Sequence, residues 1–292
     1  MTIIWSGLTL GAIYVMVASG YNLVLASSGV LNFTLGATVM SGAFGAYYGV
    51  TTLHLATGLV IVGGTIFGLC IGLVSEFVCI RPLRRISPLR LQASSDLITT
   101  VGFATILEGA ATIAFGPNPL SANLAGSVKT VSVLGGFVTP LQLVSMGVAI
   151  VVAVGLHLGL RRTRLGLACL AVAEDREAAI ARGINAKFLT VGSFAIAGAI
   201  AGLAGVLAES TTFAYTGLAD VLAISGFVAV ALGGELSQLG GLGAGFLIGL
   251  VGAEAGRYIG ANYTQISVFA VLFVTLVIKP NGVGGAAAVR DV

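Results

Sequence analysis

Apolar residues fall along this chain in long blocks rather than in the alternating or three-to-four-residue patterns of a soluble domain. The blocks lie at 3–25, 28–50, 58–80, 94–115, 140–160, 189–209, 219–234, 241–258 and 265–278, and they are rich in Gly, Ala, Leu and Val. About 20 such residues carry a helix across the hydrocarbon core, whereas barrel strands run about ten residues with alternating polarity. The pattern predicts an all-α polytopic transmembrane bundle of eight or nine spans, with the seventh and ninth blocks short. Gly64, Gly68 and Gly72 recur every four residues, as do Gly241, Gly245 and Gly249, and Gly198 and Gly202 form a further pair. Such stripes let helix backbones approach closely.

Charge gathers in the connections. Arg81, Arg84, Arg85 and Arg90 fall in one, Arg161, Arg162, Arg164, Arg176, Arg182 and Lys187 in another, and Lys279 and Arg290 in the tail. Lys and Arg collect on the cytoplasmic side of membrane proteins. Nine alternating spans then put the N-terminus outside and leave only Lys129 and Arg257 on the outer face. An eight-span chain keeps this sidedness if its first segment is only partly inserted. The outer connection at 116–139, with its Pro and Gly, is expected to carry a short surface helix or hairpin. Met1 is followed at once by apolar residues without a basic n-region or a clear cleavage site, so the start reads as a retained span.

Composition agrees. The 292 residues are 57% hydrophobic and 9% charged, with mean hydropathy +1.06, where a soluble domain has about 25% charged residues. The chain reads as one transmembrane domain, 1–292, with a charged cytoplasmic loop at 161–188. A net charge of +3 concentrated between apolar blocks speaks to orientation in the bilayer and not to nucleic acid.

Within that loop Glu174, Asp175, Arg176, Glu177, Arg182 and Lys187 cluster in an otherwise nearly uncharged protein, and Gly183 follows. Acids at the start, Arg182 at the end and a terminating Gly183 predict a short helix whose Ala178, Ala179, Ile180 and Ala181 offer a compact apolar surface to a partner.

Polar residues inside the apolar blocks are the candidates for a path. Asn22, Ser27, Ser28, Asn32 and Thr34 interrupt the run at 20–44, and polar groups at membrane depth face the bundle interior or a water-filled cavity. Asn22, Asn32, Phe33 and Thr34 are therefore assigned to the translocation path. A tight turn in which Asn32 bonds the backbone explains the same residues. Glu108, inside the fourth block beside Thr99, Thr100, Thr105 and Thr112, joins the path or packs as a protonated acid. Glu254 and Arg257, three residues apart, read as a local ion pair.

Other chemistry is absent. Cys70, Cys79 and Cys169 make no disulfide framework and read as packing residues. His54 and His157 stand far apart without acid or Cys neighbours, so no metal site and no catalytic residue is expected. Lys129, Lys187 and Lys279 follow Val, Ala and Ile, which excludes a phosphate-binding Gly-Lys loop. No cofactor is expected.

Three stretches resemble the permeases of branched-chain amino acid ABC importers, the LivH type, within a broader group that includes ribose and nucleoside permeases. Residues 7–44 resemble that family's opening span and its Gly-x-x-Asn-Phe-Ala-His-Gly segment, matching at Gly29, Asn32, Phe33 and Gly36, with Thr34 and Leu35 where the family has Ala-His. Glu177, Ala178, Gly183, Ile184 and Asn185 are similar to its cytoplasmic coupling loop. Residues 224–249 resemble its Gly-Gly-x-Gly-Ser-x-x-Gly segment at Gly233, Gly234 and Gly240, and IKPNGVGG at 278–285 resembles its ending.

The resemblance implies the ABC importer permease fold in a bacterial cytoplasmic (inner) membrane, with the charged loop and C-terminus cytoplasmic. It implies three kinds of partner: a second permease subunit (LivM-like or a related chain), two cytosolic ATP-binding subunits and an extracytoplasmic solute-binding protein. Glu174, Asp175, Glu177, Ala178, Gly183 and Ile184 would then couple the chain to the ATPases. The solute it implies is a branched-chain or other small amino acid, moved by alternating access. Urea, short amides and small carboxylates are alternative cargoes, and a stand-alone secondary transporter or channel, proton-coupled through Glu108, is the alternative class.

Overall fold

The computed structural model describes residues 2–82, 92–122, 124, 130–133, 136–260, 263–279, 282 and 284. Arg84, Arg85, Arg90, Lys129 and Arg290, which enter the sidedness argument, lie outside the described residues, as do Pro280, Asn281, Val283 and Gly285 of the closing motif.

Every one of the nine apolar blocks is a helix. In chain order the elements are α1 (Thr2–Ser28), α2 (Thr34–Thr51), α3 (Thr57–Ser75, continued by a π turn at Glu76–Ile80), α4 (Gln92–Phe115), the strands β1 (Val131–Val133) and β2 (Gly136–Val138), α5 (Pro140–Arg162), α6 (Arg164–Glu174), α7 (Arg176–Ala181), α8 (Ala186–Glu209), α9 (Leu218–Gly233), α10 (Gln238–Tyr258) and α11 (Thr264–Ile278). Six are long and apolar enough to cross a membrane on their own: α1, α3 with its π turn, α4 from Ser95, α5, α8 and α10. The other three are the 18-residue α2 and the shorter α9 and α11. The connection at 116–139 carries the hairpin alternative: β1 and β2 pair antiparallel, Val131 opposite Val138.

The core is built around α1, which is buried on all sides from Gly11 to Val24. A helix apolar all round has no solvent face to spare, so others must wrap it. The glycine stripes do this close packing in matched pairs. Gly68 of α3 meets Gly198 and Gly202 of α8, where a Cβ on Gly68 would fall 2.6 Å from the Gly202 Cα. Gly245 and Gly249 of α10 press in the same way on Val15, Gly11 and Gly7 of α1. By contrast α4 and α11 leave Ile98, Ile106, Ile113, Phe273 and Ile278 exposed, a surface suited to lipid or to another membrane subunit.

Contacts order the two ends of the bundle. Thr190 near the start of α8 donates to the Ser27 carbonyl at the end of α1 (3.3 Å), and Gly72 near the end of α3 abuts Phe194 of α8. Gly249 near the end of α10 meets Gly7 near the start of α1. Arg81, Arg161, Arg162, Arg164, Arg176, Arg182 and Lys187 therefore share one end of the bundle, and Arg257 the other.

Two chain reversals lie inside the bundle instead of at its ends. Leu35, the second residue of α2, packs on Gly20, eight residues and about 12 Å above the end of α1. Residues 29–33 thus climb back along α1, with Gly29 at φ +70° making the turn. The α9–α10 turn sits beside Asn22 in the same way, with Gly234 at φ +91° and Leu236 at φ +61°.

Two smaller expectations change. No ion pair within 4.0 Å joins Glu254 to Arg257, because Glu254 is half-buried while Arg257 is exposed. Cys79 and Cys169 are buried, but Cys70 lies on the outward face of α3.

Candidate functional site

The charged loop forms an arm of two short helices. Thr163 caps α6, its side chain accepting from the Gly166 N–H (3.0 Å). Asp175, extended between the helices, ends α6 and caps α7, its Oδ1 accepting from the Ala178 N–H (3.0 Å). Such caps are worth about 1 kcal/mol each. Gly183 at φ +86° ends α7, where a Cβ would be strained. The Ile184 N–H donates back to the Ala179 carbonyl (3.1 Å), and Asn185 caps α8 through Phe188 (3.2 Å). Ala179 faces inward, while Glu174, Glu177, Ala178 and Ile180 are exposed. The arm is thus locally fixed and presents a mixed apolar and acidic surface.

The arm is also tied electrostatically to α4. Arg176 at the start of α7 is half-buried, which pulls its guanidinium pKa down, and the Asp96 carboxylate of α4 counters that shift. The start of α7 thus lies beside the base of the helix that carries Glu108.

Of the residues assigned to the path, Phe33 and Glu108 meet. They line one cavity of about 140 Å³ between α2, α4 and α9, together with Thr105 and Asp220. Phe33 lies at the end nearer the arm, its ring against Tyr21 (5.9 Å, edge-on) and Phe227 (6.0 Å). Glu108 is two turns further along α4 than Val101. The cavity therefore runs from an aromatic floor to a pair of carboxylates.

The other three hold backbone in place, two beside the cavity and one at the α9–α10 turn. Asn32, 1% exposed, accepts from the Thr34 N–H through Oδ1 (3.1 Å), and its carbonyl accepts from Leu35 (3.2 Å), which is the tight turn. Thr34 donates to the Thr100 carbonyl of α4 (3.2 Å), fixing the α2–α4 wall. Asn22 lies apart from the cavity and clasps the α9–α10 turn, accepting from the Leu236 N–H (3.1 Å) and donating to the Ser237 carbonyl (3.3 Å). Broken helices at membrane depth need such partners, since no water satisfies the freed groups.

Sequence reasoning passed over Asp220, Tyr21 and Phe227. Asp220, an ionisable residue at the second position of an apolar block, carried a usable signal. The aromatic pair did not, because nothing local says which rings will flank Phe33. Glu209 at the end of α8 was also passed over: it is 3% exposed and accepts from the Ala122 N–H, while Leu120 pairs with Ala214. Together these contacts dock the connection at 116–139 on α8. Among the described residues, no group of three metal-ligating side chains occurs.

Known proteins with the same sequence pattern cover this whole arrangement. The high-affinity branched-chain amino acid transport system permease protein LivH of Salmonella typhimurium is 28% identical over 300 residues, 99% of this chain and 96% of that protein. BraD of Pseudomonas aeruginosa, described in the same words, is 29% identical over 309 residues, 98% and 96% of the two chains. A probable LivH of Methanocaldococcus jannaschii is 25% identical over 287 residues, 93% and 88%. Among solved structures, PsaBC from Streptococcus pneumoniae in complex with Fab superposes with a TM-score of 0.52 at 16% identity, covering 96% of this chain and 93% of that one. That likeness concerns the fold alone. A family profile described as branched-chain amino acid transport system, permease component, matches residues 3–277, and the chain belongs to that family of membrane permeases.

Proposed function

We propose that this permease is the membrane-spanning half of an ATP-driven importer for a branched-chain or other small amino acid, in the bacterial cytoplasmic membrane. It would work with a second permease, two cytosolic ATPase subunits and an external solute-binding protein. The observation that carries this reading is the arm: a capped pair of helices at the basic end of the bundle, whose outer face, with Glu174, Glu177, Ala178 and Ile180, no other part of the described chain covers. The basic end is read as cytosolic. A chain without a phosphate-binding loop needs its energy from outside, and the arm offers the contact.

In this mechanism the ATPases close on ATP and push α7 through Glu174, Asp175, Glu177, Ala178 and Ile184, with Gly183 as the bend. The push reaches the start of α8 directly and the base of α4 through Arg176 and Asp96. Movement of α4 against α2 and α9 opens or seals the cavity at Phe33. Solute enters on the side of Glu108 and Asp220 and leaves past the aromatic floor once hydrolysis relaxes the arm, which is alternating access driven by differential contacts in two states.

Co-expression with its ATPases, purification and reconstitution with the binding protein tests this. Leucine uptake should need ATP on the arm side and ignore protonophores. The juxtaposed Glu108 and Asp220 favour one rival, proton-coupled transport by the chain alone. Uptake driven by a proton gradient without ATP would establish the rival and overturn the importer.

A further inference from the structure

The α9–α10 turn and the arm border a second cavity, of about 270 Å³; of its lining residues the transport mechanism uses Glu174 alone, as a contact to the ATPases. It lies at the basic end and shares no lining residue with the Phe33–Glu108 cavity. His157 and Arg161, one turn apart on α5, form one wall; Glu174 of α6 and Glu235 of the turn supply the opposite charge. These groups do not neutralise one another: no ion pair within 4.0 Å joins Arg161 or His157 to either acid. Ser237, Gln238 and Gly284 also line it; Gln238 is 1% exposed, and its Nε2 donates to the Ser19 carbonyl of α1 (3.4 Å).

Walls of both signs select the ligand. A simple cation would leave Arg161 and His157 unmatched, and a simple anion would leave the two acids. A molecule with an ammonium and a carboxylate on neighbouring atoms satisfies both walls. Leu160, Leu170 and Leu236 form an apolar surface, against which a short aliphatic side chain would be buried.

The geometry points to a second solute site here, for a free aliphatic α-amino acid on the arm side of the bundle. The carboxylate lies against Arg161 and His157, the ammonium against Glu174 and Glu235, and the side chain against the three leucines. A molecule bound there bridges α6 to the α9–α10 turn and so resists movement of the arm. The site rests on the proposed transport function only for the choice of leucine as probe.

Tritiated L-leucine binding to the purified full chain, in nanodiscs of phosphatidylcholine and phosphatidylglycerol, tests it; neither headgroup carries a primary ammonium that would compete for the acids. Saturable binding is expected. Leucinol, without the carboxylate, and 4-methylpentanoate, without the ammonium, should each compete at least tenfold more weakly than L-leucine. Glu235→Gln and Arg161→Gln, both exposed positions, should weaken binding at least tenfold, and Leu170→Trp should abolish it by filling the cavity. Phe33→Ala should leave it intact, which separates this site from the transport cavity. Binding lost in Phe33→Ala but kept in Glu235→Gln and Leu170→Trp would overturn the assignment, as would no leucine binding at all. Neither result bears on whether uptake needs ATP, so the transport reading stands or falls separately.

Discussion

A single methyl group at Gly68 should separate two helices that an equal methyl at Gly63 leaves alone. Both glycines lie in α3, five residues apart. Built on Gly68, a Cβ would sit 2.6 Å from the Gly202 Cα and 2.7 Å from its N, and would also meet the Gly198 carbonyl; built on Gly63 it meets nothing within 4 Å. Comfortable carbon contacts are about 3.5–4.0 Å, so α3 and α8 must part by about 1 Å, and a gap of that size forfeits a quarter to a half of each pairwise attraction along the seam. The obstructing atoms are backbone and cannot rotate away. Overpacking of this kind costs about 1–3 kcal/mol, against about 1 kcal/mol gained when Ala replaces Gly in a helix. Gly68→Ala should thus lose up to about 2 kcal/mol and Gly63→Ala gain up to about 1 kcal/mol. The gain in helix propensity is common to both, so they differ by the overpacking of about 1–3 kcal/mol, and at about 2–4 °C per kcal/mol the two melting temperatures should differ by roughly 2–12 °C. Thermal unfolding of the full chain in mild detergent reads this out. Equal midpoints, or a Gly68→Ala protein more stable than wild type, would refute the close backbone seam.

Further outcomes follow from the site. Asn22→Leu strips both hydrogen bonds from the α9–α10 turn and should cost about 1–3 kcal/mol for each buried group left bare, with faster amide exchange at Leu236; Asn22→Asp, which keeps the acceptor, should slow that exchange again. Phe33→Ala removes the ring between Tyr21 and Phe227, contacts worth about 0.5–1.5 kcal/mol each, and should let solute leak into vesicles without ATP. Glu177→Lys changes an exposed residue of α7 and should weaken pull-down of the ATPase subunits while leaving the thermal midpoint in place, since surface changes away from special features matter little.

The helices were legible because hydrophobic blocks of that length have few other uses. The short helix α7 was legible as well, with acids at its start and Gly183 at its end, because such signals act on neighbours within a few residues; the caps made by Thr163, Asp175 and Asn185, and the break into two helices, were passed over. The depth of the two reversals was not legible either. Nothing between Gly29 and Phe33 says that the strand climbs back along α1, because that follows from Leu35 meeting Gly20 and Gly36 meeting Ala219 and Ala223, contacts between distant segments. For the same reason Asp220 could not be matched with Glu108, nor Glu209 with Ala122. The Glu254–Arg257 expectation failed on burial: helical spacing brings side chains to one face but does not decide whether one turns inward.

The seam between α3 and α8 has a kinetic consequence. Where Gly68 and Gly72 meet Phe194, Gly198 and Gly202 the contacts are backbone on backbone, so the joint lacks the soft rotamer adjustments by which most helix pairs absorb a small shift. The two helices either travel as one rod or jump by a whole glycine notch of four residues, about 6 Å. A tug at the foot of α8 would thus arrive undamped at the foot of α3, making that pair the stiff shaft of the molecule and leaving compliance to the looser α4.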